Sequence, residues 1–439
     1  MANTLQDRYG LPLSTPSAEA AELYGASIDI MLALNDGAQE NLDAAVAHDE
    51  DFALAHIALA RWFQYAGDMA QAQASKRRAL ECLDGVTRRE RQHVTALAKA
   101  VDGDGPGALA LIYEHLQEFP RDAFALKQAD GPFGLLGFGG GQDHLEENFA
   151  LLHGVAHAYG EDWWFLSAYA FAHNELGRFV EAERLAERAL ELNARSGHSA
   201  HTMAHVCFEM GRPDSGSAFL EEWLADYPRT SQIYSHLAWH LALFELAGGD
   251  GERVQALYDD SLRPEVSPGV PLITLCDAAS LVWRHGLYGV GCRAEAPEDV
   301  AALAREAFPR PGITFADVHC ALAYAAAGDQ AALERLAEQL EERLSAGKVA
   351  AGEVAPVLVK AVAAFARGDY EQAAALMEPV ADQVVRVGGS NAQRSVFEDT
   401  LLQAYLRGGR NESAETLLRQ RLARRPSAQD EMWLQQAQG

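Results

Sequence analysis

Apolar residues in this chain recur at helical spacing, in stretches that break at glycine. From Asp162 it reads DWWFLSAYAFAHNELGRFVEAERLAERALELN. Aromatic and small apolar residues at helical spacing lead to a break at Gly177, and a second amphipathic stretch runs from Phe179 to Leu192. The spacing predicts two helices folded back on each other. The same pattern returns in Phe52 to Cys82 around Gly67, and in His198 to Tyr227 around Gly211, where Pro228 ends the unit. Thr230 to Tyr258 breaks at Gly248-Gly249 and Phe315 to Leu344 at Gly328. Val357 to Val380 breaks at Gly368, and Ala392 to Leu422 at Gly408-Gly409.

The leucine-glycine break, the aromatic after it and the alanines at 182, 186 and 189 follow the 34-residue tetratricopeptide pattern. The expected fold is therefore all-α, an α-solenoid of tetratricopeptide-like helical hairpins over residues 1–439 as a single unit. Softer joints are expected near 131–141 and 263–271. The first is the glycine-rich GPFGLLGFGGG, which lacks a GxxxxGK[ST] ending and so reads as a loop more than a phosphate cradle. The second carries three prolines.

Composition supports helices and narrows the partners. The chain is 49% hydrophobic and 23% charged, with a formal charge of −27. That balance excludes a basic phosphate-tracking groove, so neither nucleic acid nor an anionic membrane is an expected partner, and a homo-oligomer stays open. The five cysteines are widely separated with no CxxC, which suits a reducing compartment. The N-terminal MANTLQDRYGLPLSTPS shows no secretory signal and no stretch has membrane-spanning length, so a cytoplasmic location is expected.

Most of the fifteen histidines fall between His144 and His240. Two i,i+4 pairs, His201/His205 and His236/His240, are displaced from each other by one repeat. Each pair shares a helix face, and equivalent first helices line one inner wall. His173 belongs to the same wall by this argument, His198 lies one turn before His201, and His153/His157 forms another i,i+4 pair. The four repeated imidazoles have three readings. They can be hydrogen-bonded core groups, or a polar pocket for a small ligand or peptide end. They can also be metal ligands, with zinc or haem iron as the alternatives; the sequence requires no cofactor. There is no HExxH, and the residues between the pairs offer no carboxylate; Glu209 and Glu245 lie just beyond them.

Other polar residues interrupt apolar helices. Asp277 and Arg284 lie two turns apart in ITLCDAASLVWRHGL, and His319 stands alone in FADVHCALAYAAAG. Buried polar groups need partners, so each is expected to have one in the groove or core. Arg394 and Glu398 are spaced as an i,i+4 ion pair at the start of a helix after Gly388-Gly389-Ser390. No serine-nucleophile motif occurs in convincing context, and Cys207 does not face His205.

HSAHTMAHVCFEMGRPDSG, SHLAWHLALFELAGGD, GGSNAQRSVFEDTL and RRERQHVTAL together resemble the tetratricopeptide repeat protein 38 family, as in a bacterial member, over nearly the whole chain. The resemblance implies an almost wholly helical solenoid and no known reaction. It points to His201, His205, His236, His240, Gln393 and Arg394 as motif positions. Ser395 stands where the family pattern has aspartate after the arginine. The leading expectation is a cytoplasmic solenoid binding a small polar ligand or peptide segment in a histidine-lined concave groove. His201, His205, His236, His240, Asp277, Arg284, His319, Gln393 and Arg394 would contact or support it. The alternatives are a hydrolase or lyase using the same histidines as general acid/base or metal ligands, and a protein–protein assembly scaffold.

Overall fold

The computed structural model describes residues 5–439. Among these residues there are 23 α-helices joined by short turns, and the only extended pairing is an isolated bridge between Gln6 and Pro12. The hairpins expected from the glycine breaks are present: Ala53–Ala66 with Met69–Glu81, Trp163–Glu175 with Phe179–Leu192, Gly197–Glu209 with Pro213–Ala225, and Tyr234–Gly248 with Gly251–Leu257. Further along come Thr314–Ala326 with Gln330–Ser345, Val354–Ala366 with Tyr370–Met377, and Asn391–Arg407 with Asn411–Arg424. Pairs the glycine pattern did not mark, such as Ala18–Ala33 with Ala38–His48 and Arg88–Val101 with Gly105–Glu118, complete the array. No helix among the described residues is long and apolar enough to cross a membrane.

The hairpin turns share one chemical device. Gly67, Gly103, Gly249, Gly328 and Gly368 have φ between +70° and +87°, the left-handed region that glycine enters without a Cβ penalty. Each is followed by aspartate. Asp68, Asp104, Asp250, Asp329 and Asp369 all accept a hydrogen bond from the amide three residues on, capping the next helix. A Gly-Asp dipeptide thus ends one helix and starts its return partner. At Gly177-Arg178, Gly211-Arg212 and Gly409-Arg410 the turn is kept but arginine makes no side-chain cap.

Outer and inner helices differ in how much of their circumference is buried. Phe179–Leu192 buries only Ala182, Leu185, Ala186 and Ala189, whereas Tyr234–Gly248 is buried from Tyr234 through Phe244. An all-round buried helix needs neighbours on every side. Tyr234–Gly248 packs between the inner helices Gly197–Glu209 and Pro271–Tyr288. The curl then brings Asn391–Arg407 back against both of those. The N-terminal helix Ala18–Ala33 also packs on Gly197–Glu209. Tyr227 Oη donates to the Leu34 carbonyl at 2.9 Å and Gln232 Nε2 to the Asn35 carbonyl at 3.1 Å. The array therefore curls so that its N-terminal helix and its late helix Asn391–Arg407 both reach Gly197–Glu209.

The glycine-rich 131–141 stretch is pinned across the molecule. Arg386 Nε donates to the Gly140 carbonyl at 3.0 Å and Gln142 Nε2 to the Asp382 carbonyl at 2.9 Å. Gly140 has φ +72°, and a Cβ there would collide with the Ala350 carbonyl. The proline-rich 263–271 stretch leads into Pro271–Tyr288, with proline at its first turn.

The Gly-Asp turn makes a direct prediction. Gly368→Ala, at φ +79° with open space around the new methyl, forces alanine into the left-handed region and lowers unfolding stability by about 1–2 kcal/mol. Asp369→Ala removes the cap on Gln372 and costs about 1 kcal/mol. Urea unfolding of each single variant checks both.

Candidate functional site

His201, His205, His236 and His240 meet at the axis. One nitrogen from each lies within 4.8 Å of the corresponding nitrogen of every other. The i,i+4 spacing stacks each pair along its own helix, and lateral packing of the two helices brings the pairs face to face. His201 Nε2 lies 2.9 Å from His205 Nε2 and 3.1 Å from His236 Nε2. The His205 and His240 rings sit edge to face with centroids 4.5 Å apart. His205 and His240 have no exposed surface and His236 almost none. Among the described residues, neither ring nitrogen of His240 has a hydrogen-bond partner, nor does His205 Nδ1. Burial, reinforced by the neighbouring imidazoles, holds His201, His205 and His240 well below the usual histidine range. They are neutral at physiological pH and present lone pairs; they are poor proton donors.

The carboxylates that were sought beside the pairs come from other helices. Asp277, on Pro271–Tyr288, accepts from His236 Nδ1 at 2.9 Å through both oxygens, which fixes Nε2 as the nitrogen facing the other imidazoles. Glu175, at the end of Trp163–Glu175, lies 4.0 Å from His205 Nδ1. Burial raises the Glu175 carboxyl to about 7, while Arg394 and the Asn391 amide pull it back. Glu209 pairs instead with Arg425 at 3.8 Å, and Glu245 accepts from Ser217.

A cavity of about 170 Å³ abuts this cluster, and His201 and His236 form part of its wall. Trp62, Tyr65, Phe124, Phe133 and Phe171 supply its aromatic surface, and Gly131–Gly134 closes one side. Phe171 also stacks on His201, with centroids 5.7 Å apart. The polar wall carries Arg61, Lys127, Gln128, Asp130, His198 and Gln232. Arg61 Nε donates to Gln128 Oε1 at 2.8 Å, and Arg61 also reaches Gln64. Neither Arg61 nor Lys127 forms an ion pair among the described residues. Burial pushes the Lys127 ammonium down to about 8, against the attraction of Asp130, and brings Arg61 to about 10. Burial lifts Asp130 to about 6 although Asn148 donates to it at 3.0 Å. His198 is depressed to about 3 by burial and by Lys127, and shares a 2.6 Å hydrogen bond with Ser167.

Of the residues singled out in the sequence, His201 and His236 reach the cavity, with His205 and His240 behind them and Asp277 behind His236. His198 also lines it, whereas Arg284, His319, Gln393 and Arg394 do not. Arg284 is buried away from Asp277, against Asp399 at 3.5 Å, Ser395 Oγ at 3.0 Å and the Ala392 carbonyl at 3.1 Å. His319 donates through Nδ1 to the Phe315 carbonyl at 2.7 Å, within its own helix. Gln393 closes a capping box with Ser390 at the start of Asn391–Arg407. The expected Arg394–Glu398 pair does not form. Arg394 turns inward to Glu175 at 3.4 Å and Asn391 at 2.6 Å, and Glu398 pairs with Arg424 at 2.7 Å.

His173 leaves the inner wall and packs edge-on against Tyr169 and Phe149. His153 and His157 do not act as a pair, because the helix ends at Val155 and His157 falls in the following 3-10 turn. The cavity cations Arg61 and Lys127 were missed. Their signal was a charge inside the otherwise apolar runs ALARWF and FALKQAD.

The motif RRERQHVTAL builds a second buried cluster. Asp122 Oδ2 accepts from Arg89 Nε at 2.7 Å, His93 Nδ1 at 3.0 Å and His115 Nε2 at 2.9 Å. Burial alone would raise this carboxyl, but Arg89 and His93 hold it well below the usual range. The guanidinium already neutralises the carboxylate, so the cluster reads as an internal tie.

Comparison with known proteins places this site in a repeat context. The family profile described as tetratricopeptide repeat matches residues 173–239, which include His201, His205 and His236. Among solved structures, yeast Tom70 is similar at 14% identity and TM-score 0.36, covering 95% of each chain. A human IFIT1 dimer with PPP-AAAA is similar at 13% identity and TM-score 0.43, covering 99% of this chain and 97% of that one. The chain is an all-helical repeat protein whose residues 173–239 match the tetratricopeptide-repeat profile.

The buried Glu175–Arg394 contact behind His205 is open to test. Glu175→Leu leaves the Arg394 guanidinium without its carboxylate and destabilises the fold by about 3–5 kcal/mol. Glu175→Leu with Arg394→Met removes both charges and restores most of that loss, read as recovery of the urea midpoint.

Proposed function

We propose that this protein binds a small organic anion carrying one apolar or aromatic ring in the cavity beside the four histidines. The observation that carries this reading is the pairing of two cations, Arg61 and Lys127, with aromatic walls in one partly open cavity. Both cations are half-buried and neither forms an ion pair among the described residues, so an anion arriving between them offsets part of their desolvation cost. The size supports a ligand of one ring, since an apolar protein cavity of about 150 Å³ accommodates benzene. Lys127 and Arg61 would hold the acid group, Trp62, Phe124 and Phe171 the ring, and His201 and His236 the remaining polar edge. A peptide segment suits the space less well, because the cavity is small and walled by the N-terminal helix. Membership in the tetratricopeptide repeat protein 38 family and a cytoplasmic location belong to the same reading. Sequence resemblance supports the first, and widely spaced cysteines without a disulfide pattern support the second.

Benzoate is a suitable probe in titration calorimetry. The Lys127 ammonium is present below about 8, and an anion stabilises it further, so binding is accompanied by proton uptake at higher pH. Above pH 7, where Asp130 in the same wall is already charged, affinity is expected to be level up to about 8 and to fall as pH rises through it, up to the higher value Lys127 takes in the complex. Lys127→Met should weaken benzoate by about 10- to 100-fold, the loss of one charge-assisted hydrogen bond, and flatten the pH dependence. Benzoate binding that is absent, or unchanged in both Lys127→Met and Arg61→Met, rejects the assignment.

A further inference from the structure

We propose that His201, His205, His236 and His240 bind one divalent first-row transition metal ion, four-coordinate through the imidazoles and able to expand to a fifth ligand on the cavity side. Geometry carries the inference. A tetrahedral ion with bonds of 2.0–2.1 Å to nitrogen sets its ligands about 3.3–3.4 Å apart. The His201–His205 and His201–His236 nitrogens stand at 2.9 and 3.1 Å, and all four fall within 4.8 Å of one another. These two separations fall just short of the tetrahedral spacing, and the outer bound lies beyond it.

Hydrogen bonding among the imidazoles does not account for the cluster. His240 is fully buried with neither nitrogen paired, and His205 Nδ1 is likewise unpaired. A buried histidine without a partner is expensive, and a metal ion would take up the His240 lone pair. Asp277 completes the arrangement. Its bond to His236 Nδ1 is the carboxylate–histidine contact that orients metal-bound imidazoles and raises their basicity.

Imidazole-only ligation suits zinc, copper, iron or nickel, and disfavours magnesium and calcium, which take oxygen. His201 and His236 face both the cluster and the cavity, so the side of the ion away from His205 and His240 opens onto the space between Lys127 and Arg61. An anion in that space would have a donor atom near the metal. This orientation of the fifth position rests on the cavity reading; the ligand set does not. The other histidine cluster provides a contrast, because Arg89 already sits on the Asp122 oxygen that His93 and His115 share.

The test uses full-length protein made without a histidine tag, stripped with a chelator and titrated with Zn²⁺ or Co²⁺. One ion per chain should be retained through gel filtration, and Co²⁺ should give the visible bands of a nitrogen-ligated centre. His205→Gln with His240→Gln should lose the ion, and Asp277→Asn should bind it about 10- to 100-fold more weakly. His93→Gln and Lys127→Met should retain the parent stoichiometry, which separates failure of the cavity reading from failure of the metal site. Helical circular dichroism identifies any variant that does not fold. The parent Co²⁺ titration decides the question by itself: no retained ion and no visible bands overturn the proposal. Bands present but unmoved by saturating benzoate overturn the cavity-facing position.

Discussion

The curl of the helical array brings polar side chains of its inner helices together in the interior, where most of them are answered by side chains from other helices. Tyr234–Gly248, buried on all sides, makes the need for such partners most severe. His236 is answered by Asp277 from the next inner helix. Arg394 is answered by Glu175, more than two hundred residues away in sequence. Arg421 reaches Asp399 and Asp430, both at 2.8 Å, and ties the last helices to the same interior. Such contacts add little net stability, yet removing one partner is costly, so they fix how the turns of the array register on one another.

Two electrostatic environments lie side by side within that interior. In one, burial and mutual repulsion keep imidazoles neutral. In the other, the cations Arg61 and Lys127 face a cavity without a carboxylate close enough to pair. The outside of the molecule, with its charge of −27, is opposite in sign to this cavity. An anion meets a surface that repels it at long range and two cations that hold it at short range. Salt screens the first effect more than the second, because the cavity is partly desolvated.

Much of this was legible in the chain. Glycine breaks located these hairpins because a left-handed turn admits glycine far more readily than any other residue. The one-repeat displacement of the histidine pairs was enough to bring them onto neighbouring inner helices. Their burial was also written in SHLAWHLALFELAG, where apolar residues cover every face. Arg284 and Asp277 each find the core partner expected of a buried polar group, Asp399 and His236. Local spacing misled where a long-range partner competed. Arg394 and Glu398 stand one turn apart, but Arg394 points into the core to Glu175, and Glu398 is taken by Arg424. His153 and His157 have the right spacing, but the α-helix ends between them.

The sequence by itself determined the helices, their turns and the registration of the two histidine pairs. Those properties depend on side-chain periodicity and on backbone preferences within some thirty-five residues. Tertiary structure decided that Asp277 and Glu175 stand behind the imidazoles. It also decided that Arg61 and Lys127 face the same cavity from the N-terminal hairpins. Small rotations between successive hairpins accumulate into the curl of the array, and no local pattern encodes where that sum brings distant turns into contact.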